Sequence, residues 1–393
     1  MKNKSFISVL CAVHAFCILF LCGILPASAE AEQSPEILKY TVSGGEVELV
    51  NVNPDTEGDY VIPEFLSDYP VTSIGFWAFE NCKKITSVSI PGSVKSIESG
   101  AFYGCSSLEN VSFAQNSSLS EIYPMAFAGC VSLKSITIPE NVEVIADRTF
   151  SGCSNLRDVD FSDNIIRIER GAFSGTGLEE DESNRIDGVL YHNNCLIEVN
   201  SEFSGNLSVK PGTRLIAEDA FWYCSKITSV NLPESLTADL CDCLSCQDCT
   251  SLKTITVDEN NPEYCSEDGV LFSKDKTELI TYPLGRTDLT YTVSDGVNRL
   301  SSYSFYCCES LMILNIPETV QEIHTDFIGC DNLKIINFDG SLEQWKDANS
   351  YSNPNINRFV SVFCRESSVI ENIKYNFTNF IIFITRTLFR RYY

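Results

Sequence analysis

Histidine, methionine and tryptophan are scarce, three of each in 393 residues. Basic side chains are also few: 28 Lys and Arg stand against 53 Asp and Glu, a net charge of −25. A protein that tracks phosphates needs clustered Lys and Arg, so nucleic-acid binding is excluded and docking on anionic lipid is disfavoured. No Gly-x-Gly-x-x-Gly, P-loop or Asp-rich calcium loop occurs. With so few His, a Ser-His-Asp or Cys-His arrangement has little to draw on, and His192 and His324 read as surface residues. Nothing singles out two of the many carboxylates as a glycosidase-like pair, and they read as a solvated surface. No catalytic residue, cofactor or metal is expected. A hydrophobic fraction of 44% is too high for a disordered chain.

Two features stand out in what remains. Lys2 and Lys4 precede an apolar run from Phe6 to Leu25, closed by Ala27-Ser28-Ala29. A basic start, an apolar stretch and an Ala-x-Ala site make a secretory signal peptide over residues 1–29, cut after Ala29. An uncleaved anchor is the alternative, because the run is long enough to span a bilayer. Cleavage leaves 15 of the 18 Cys and two His.

The second feature is a repeat. Ile97, Phe102, Cys105 and Leu108 recur as Ile122, Phe127, Cys130 and Leu133, and as Ile145, Phe150, Cys153 and Leu156. The eight-residue step from Ile to Cys also joins Ile74 to Cys82, Ile216 to Cys224 and Leu300 to Cys308. It shrinks to seven between Ile323 and Cys330. After each Cys comes an alternating segment such as Leu133-Lys-Ser-Ile136-Thr-Ile138, where period two marks a strand with one buried face. Pro cannot donate to a ladder, so Pro91, Pro139, Pro233 and Pro317 end those strands. Phe and Cys three apart share one side of a tight helical turn. A unit of about 23 residues cannot bury its apolar face alone, so units must stack into a solenoid with strands about 4.8 Å apart. The expected fold is a single, mainly β array of about ten units with parallel strands and short helical turns.

Residues 30–72 read as an N-terminal cap, 73–364 as the solenoid and 365–393 as an atypical apolar and basic tail, either a loose appendage or a weak interfacial anchor. Inserts near 184–210 and 260–290 carry Asp-Gly before an apolar run and read as hairpins added to the solenoid. The fifth unit has Thr176 in the Cys slot. In an exported chain Cys suggests disulfides, but stacked equivalents point the same way at a spacing too wide for a bridge. The ladder Cys therefore read as buried free thiols, used as small hydrophobes. Cys241, Cys243, Cys246 and Cys249 form one metal-like constellation, for which a local disulfide, reduced thiols and zinc all stay open.

The outward strand positions are the candidate binding surface: Ser89, Ser112, Thr137, Asp160, Asn231, Thr256, Asn315 and Asn337. Stacking sets them in a row of short polar side chains that can bond a protein strand or a glycan, or simply one another.

The Ile-x-x-x-Ala-Phe-x-x-Cys-x-x-Leu-x-x-Ile-x-Ile-Pro units resemble the BspA-type leucine-rich-repeat proteins of bacterial surfaces and secretomes. The Gly-Val-Leu-Phe insert, Tyr-Pro-Val-Thr-Ser-Ile-Gly at 69–75 and Leu342-Glu-Gln-Trp345 support the likeness. The resemblance implies a leucine-rich-repeat fold and a non-catalytic role in adhesion or protein–protein recognition at the cell surface or after secretion. Its implied partner is an extracellular protein or glycan, such as a host matrix protein or another cell surface, bound by a monomer. A passive surface spacer and a non-catalytic accessory to extracellular enzymes are the alternatives.

Overall fold

The computed structural model describes residues 38–240, 248–325, 327–349, 360–368, 371–373 and 375–376. The segment read as a signal peptide, the Cys241–Cys246 part of the Cys-rich constellation and the end of the tail lie outside them. The chain winds through about thirteen turns of a β-solenoid. Each regular turn has three sides, set by where the repeat places its apolar residues.

The alternating segment forms the long strands. Glu57–Val61, Lys84–Ile90 and Asn110–Phe113 run parallel, with Tyr60, Val88 and Val111 in register and pointing inward. Lys84–Ile90 and Ile227–Leu232 stop at Pro91 and Pro233, as the missing N–H requires. The second side is a ladder that begins at the end of Tyr69–Ile74 and continues as two-residue strands, in which Ile74, Ile97 and Ile122 pair and are buried. The third side is the turn edge, where Phe79, Phe102, Phe127, Phe150 and Phe173 stack with centroids 4.7, 5.1, 5.7 and 5.9 Å apart. Backbone bonds tie this edge together as well, from Phe102 N–H to the Ala126 carbonyl (2.7 Å) and from Phe127 N–H to that of Thr149 (2.9 Å). The edge needs left-handed backbone just before each Cys, and Gly129 and Gly152 supply it at φ +75 and +74.

Both inserts differ from simple added hairpins. Arg185–Ile186, Val189–His192 and Cys195–Val199 form an antiparallel meander whose third strand pairs in parallel with Leu215–Ile216. Tyr264–Glu267, Val270–Ser273 and Glu278–Thr281 repeat the arrangement, the last pairing with Arg299–Leu300. The third strand of each meander is a solenoid turn in its own right: Val199 N–H donates to the Ala220 carbonyl as a column Phe would. In the second insert Tyr282 takes the column position, stacked on Phe305 at 5.4 Å. These turns, together with cap strands that stack in register, raise the count above the ten expected.

The two ends are closed differently. At the N-terminus an antiparallel hairpin, Leu38–Ser43 with Glu46–Val52, pairs with Tyr69–Ile74. At the C-terminus Ser361–Cys364 is the last long strand. Asn372 and Asn376 bond its edge with their side-chain amides: each accepts from a backbone N–H and donates to a carbonyl, at Cys364 and Val362 respectively. Among the described residues no helix is long and apolar enough to cross a membrane.

Candidate functional site: the long-strand face

The long strands expose every second side chain, and the eight candidate residues all sit there. They fall into separate runs. Ser89 pairs with Ser112, Thr137 with Asp160, Asn231 with Thr256, and Asn315 with Asn337. The meanders separate the last two runs from each other and from the first pairs. The row is therefore interrupted where the inserts enter, and the eight residues are not one continuous strip.

Within each run the side chains bond along the ladder. Ser112 Oγ–H donates to Ser89 Oγ at 3.1 Å, and Thr256 Oγ1–H donates to Asn231 Oδ1. Asn337 Nδ2–H donates to Asn315 Oδ1 (2.8 Å), whose amide in turn donates to Thr292 Oγ1 (2.9 Å). Each bond uses part of a hydroxyl's or amide's capacity and leaves the rest facing solvent. Asp160 adds a carboxylate at the edge of the first run. Such a surface can exchange side-chain bonds with a protein strand or a sugar at little cost, because one polar partner replaces another.

Sequence reasoning missed three features. The first concerns His192, which is half-buried rather than a free surface residue. Its Nε2–H donates to the Val159 carbonyl at 2.6 Å, and its ring lies against Phe161. Asn193 donates to the Val159 and Phe161 carbonyls as well, so the insert turn covers the edge of Asp158–Asp160 where the next long strand would pair. Beside it lies an open cleft of about 300 Å³ between that turn and the loop Lys210–Thr213. His324 is also part-buried, its ring beside Glu322 at 3.2 Å.

The second is the chemistry of the Cys column. The described ladder Cys are buried, and their thiols are more than small hydrophobes. Each S–H donates to a carbonyl of the preceding turn: Cys105 to Phe79 (3.0 Å), Cys130 to Phe102 (3.2 Å), Cys153 to Phe127 (3.1 Å) and Cys330 to Phe305 (2.8 Å). The slot selects a small donor, and in the fifth unit Thr176 supplies a hydroxyl that donates to Phe173 in its own turn. Burial pushes the Cys82 thiol up to about 12 and those of Cys130 and Cys308 well above the usual thiol range. These sulfurs are poor nucleophiles. Among the described residues no group of three His, Cys, Asp or Glu is placed to hold a metal.

The third feature is a set of exposed aromatics on the turn edge, including Phe76, Trp77, Tyr103, Trp222, Tyr223 and Tyr303. The repeat leaves these positions free of core constraint, so their aromatic character was the available signal.

Comparison with known proteins adds the following. A family model described as a BspA type leucine rich repeat region matches residues 71–185, 200–283 and 287–380, in six copies. No curated protein matches the chain. Among solved structures, the chain is similar to a leucine rich cell surface protein from Faecalibacterium prausnitzii A2-165, at 21% identity over 88% of this chain and 97% of that one, with a TM-score of 0.35. It is also similar to the pneumococcal vaccine antigen PcpA, at 20% identity over 86% and 88% of the two chains, TM-score 0.34. A leucine-rich repeat protein from Bacteroides capillosus is 34% identical over 34% of this chain and 99% of that one, TM-score 0.30.

Proposed function

The chain belongs to the BspA-type leucine-rich-repeat family, and from that premise we propose that it is a non-catalytic recognition module, secreted or held at the cell surface, that binds an extracellular protein or glycan through its long-strand face. One observation carries the reading: short hydroxyl and amide side chains stand in register on a rigid parallel sheet, with unused bonding capacity toward solvent. A flat, pre-ordered surface loses little entropy on binding. The exported location follows from the signal-like first 29 residues and accords with the cell-surface protein among the similar structures.

The test is a binding screen of the chain from Glu30 against matrix-protein and glycan arrays, alongside the double variant Thr137→Lys with Asn231→Lys. A recognition module gives a saturable hit that the double variant loses while its circular dichroism and melting stay unchanged. A hit that survives both lysines sinks the strand-face assignment. The second reading, a passive spacer, draws on the way the side chains already satisfy one another along each run. It predicts silence on both arrays.

A further inference from the structure

The exposed aromatics are unevenly served by charge. In the N-terminal turns Phe76 is 61% exposed, Trp77 37% and Tyr103 39%, and the Trp77 and Tyr103 rings meet edge-on at 5.3 Å. Trp77 lies over the backbone of Gly100, where any Cβ would collide with its ring. Immediately before Phe76, Gly75 lies under the Glu48 side chain, which feels the charge of Glu98 two strands along the short-strand ladder. Tyr123, one turn further on, senses the same Glu98. Neither Glu48 nor Glu98 has a Lys or Arg within ion-pair distance among the described residues. Ser96 and Ser73 are the only side chains bonding Glu98 there. Burial, and then the neighbouring Glu98 charge, push the Glu48 carboxyl up.

The same molecule shows what such groups take when a cation is at hand. On the short-strand face of the C-terminal turns, Arg299 Nε stands 3.3 Å from Glu278 and 3.8 Å from Glu322, one guanidinium between acids of neighbouring turns. At the turn edge Arg170 lies 5.0 Å over the Trp222 ring. The N-terminal surface presents both halves of that chemistry, an acid pair and exposed rings, with neither partnered by a cation among the described residues.

We propose that the surface formed by Phe76, Trp77, Tyr103, Tyr123, Glu48 and Glu98 is a docking site for an Arg-rich segment of an extracellular protein. It goes beyond the strand-face reading, since it lies on a different side of the solenoid. Charge complementarity selects the occupant: two carboxylates that repel each other on one face favour a cation between them, and Trp and Tyr faces attract a guanidinium. Arg fits better than Lys because its planar fork bonds carboxylates and stacks on rings at once. The chain's charge of −25 draws such a segment in from a distance.

Fluorescence anisotropy of a labelled peptide of alternating glycine and arginine, titrated with the full chain at low salt, tests the site. Glycine–serine and glycine–glutamate peptides serve as references. The arginine peptide binds saturably, and Glu48→Gln with Glu98→Gln weakens it about tenfold. Trp77→Gly weakens it similarly and keeps the fold, because Trp77 sits at φ +56 in the slot that Gly100 and Gly171 occupy in other turns. Tyr223→Gly, at φ +61 in a distant turn, leaves binding unchanged. So does the Thr137→Lys, Asn231→Lys variant, which separates this site from the strand face. The proposal is overturned if the arginine peptide binds no tighter than the serine one, or if binding survives both the glutamine pair and Trp77→Gly. It is equally overturned if chitohexaose binds in a way that needs Trp77 and ignores both glutamates, which would make the surface a sugar platform.

Discussion

The Phe–Cys column before the first insert and the column after the second are built from the same repeat, yet they are packed differently. In the first, ring planes of successive Phe from Phe102 to Phe173 lie within 2–10° of parallel, and the thiols of Cys105, Cys130 and Cys153 reach their carbonyls at 3.0–3.2 Å. In the second, Phe305 and Phe327 are tilted by 32° at 6.0 Å, and the thiols are uneven, Cys308 standing 3.9 Å from the Tyr282 carbonyl while Cys330 reaches that of Phe305 at 2.8 Å. The cause is local. The Ile323–Cys330 step is one residue short, which leaves Phe327 itself at φ +54, and Tyr282 replaces Phe where the insert joins. A solenoid turn contacts only its neighbours, so a misfit in one turn does not spread along the array. Regularity is thus a property of each pair of turns.

The largest expected effect sharpens that contrast. Phe127 is fully buried between two near-parallel rings, and Phe127→Ala should cost about 3–5 kcal/mol through lost transfer energy plus a cavity. Phe327→Ala should cost less, since its ring already stands off its neighbour. Urea unfolding followed by far-ultraviolet circular dichroism measures both. Equal costs would mean that the tilt has no energetic content.

Next in size is the thiol ladder. Cys130→Ala removes sulfur packing and a donor to Phe102, whose carbonyl keeps the Cys105 N–H, so about 1–2 kcal/mol is expected. The thiols also set a pH dependence. In the folded chain Cys82 stays protonated up to about 12, while the unfolded chain ionises its thiols near the ordinary value. The unfolded state therefore loses protons first. The stability that burial lends is complete below the ordinary thiol range and is lost as pH rises through it toward 12. Melting temperature should fall steadily on the alkaline side, and Cys82→Ala should make that fall shallower. A profile identical in parent and variant would remove the buried thiols from the account.

The repeat, the strand faces and the burial of Ile, Phe and Cys follow from spacing because each has one dominant cause, the apolar period. The thiol donors did not follow from it, since a Cys that bonds a carbonyl and a Cys that merely fills space leave the same letter at the same step. The turns hidden in the inserts were equally illegible: Val199 and Tyr282 take Phe positions without an Ala before them or a Cys three residues later. The candidate residues stand at outward strand positions, which the alternation gives one by one, but the interruption of the row depends on His192 and Asn193 reaching across to Val159, a contact between residues some thirty positions apart. Glu48 and Glu98 come together for the same kind of reason, through stacking of turns rather than through any local motif.

The smallest effect runs in the opposite direction and bears on the looser column. Ser304 occupies the slot that Ala78, Ala101, Ala126 and Ala172 fill elsewhere. It is fully buried, and its hydroxyl has no hydrogen-bond partner among the described residues. Thr149, the one hydroxyl in that slot among the early turns, donates to the Ala146 carbonyl at 2.8 Å and so recovers its desolvation. Ser304 does not, so Ser304→Ala should stabilise the chain by about 1 kcal/mol by removing an unsatisfied polar group at little change in volume. Thr149→Ala should gain nothing and lose a few tenths to about 1 kcal/mol, since it gives up a bonded donor and a methyl group. Opposite signs for the same replacement in equivalent slots would establish that the second column is looser because its polar groups are unpaired, and not only because its rings are tilted. If both variants lost stability, the Ser304 hydroxyl would have to be bonded in solution, and the tilt of Phe327 alone would carry the difference between the two columns.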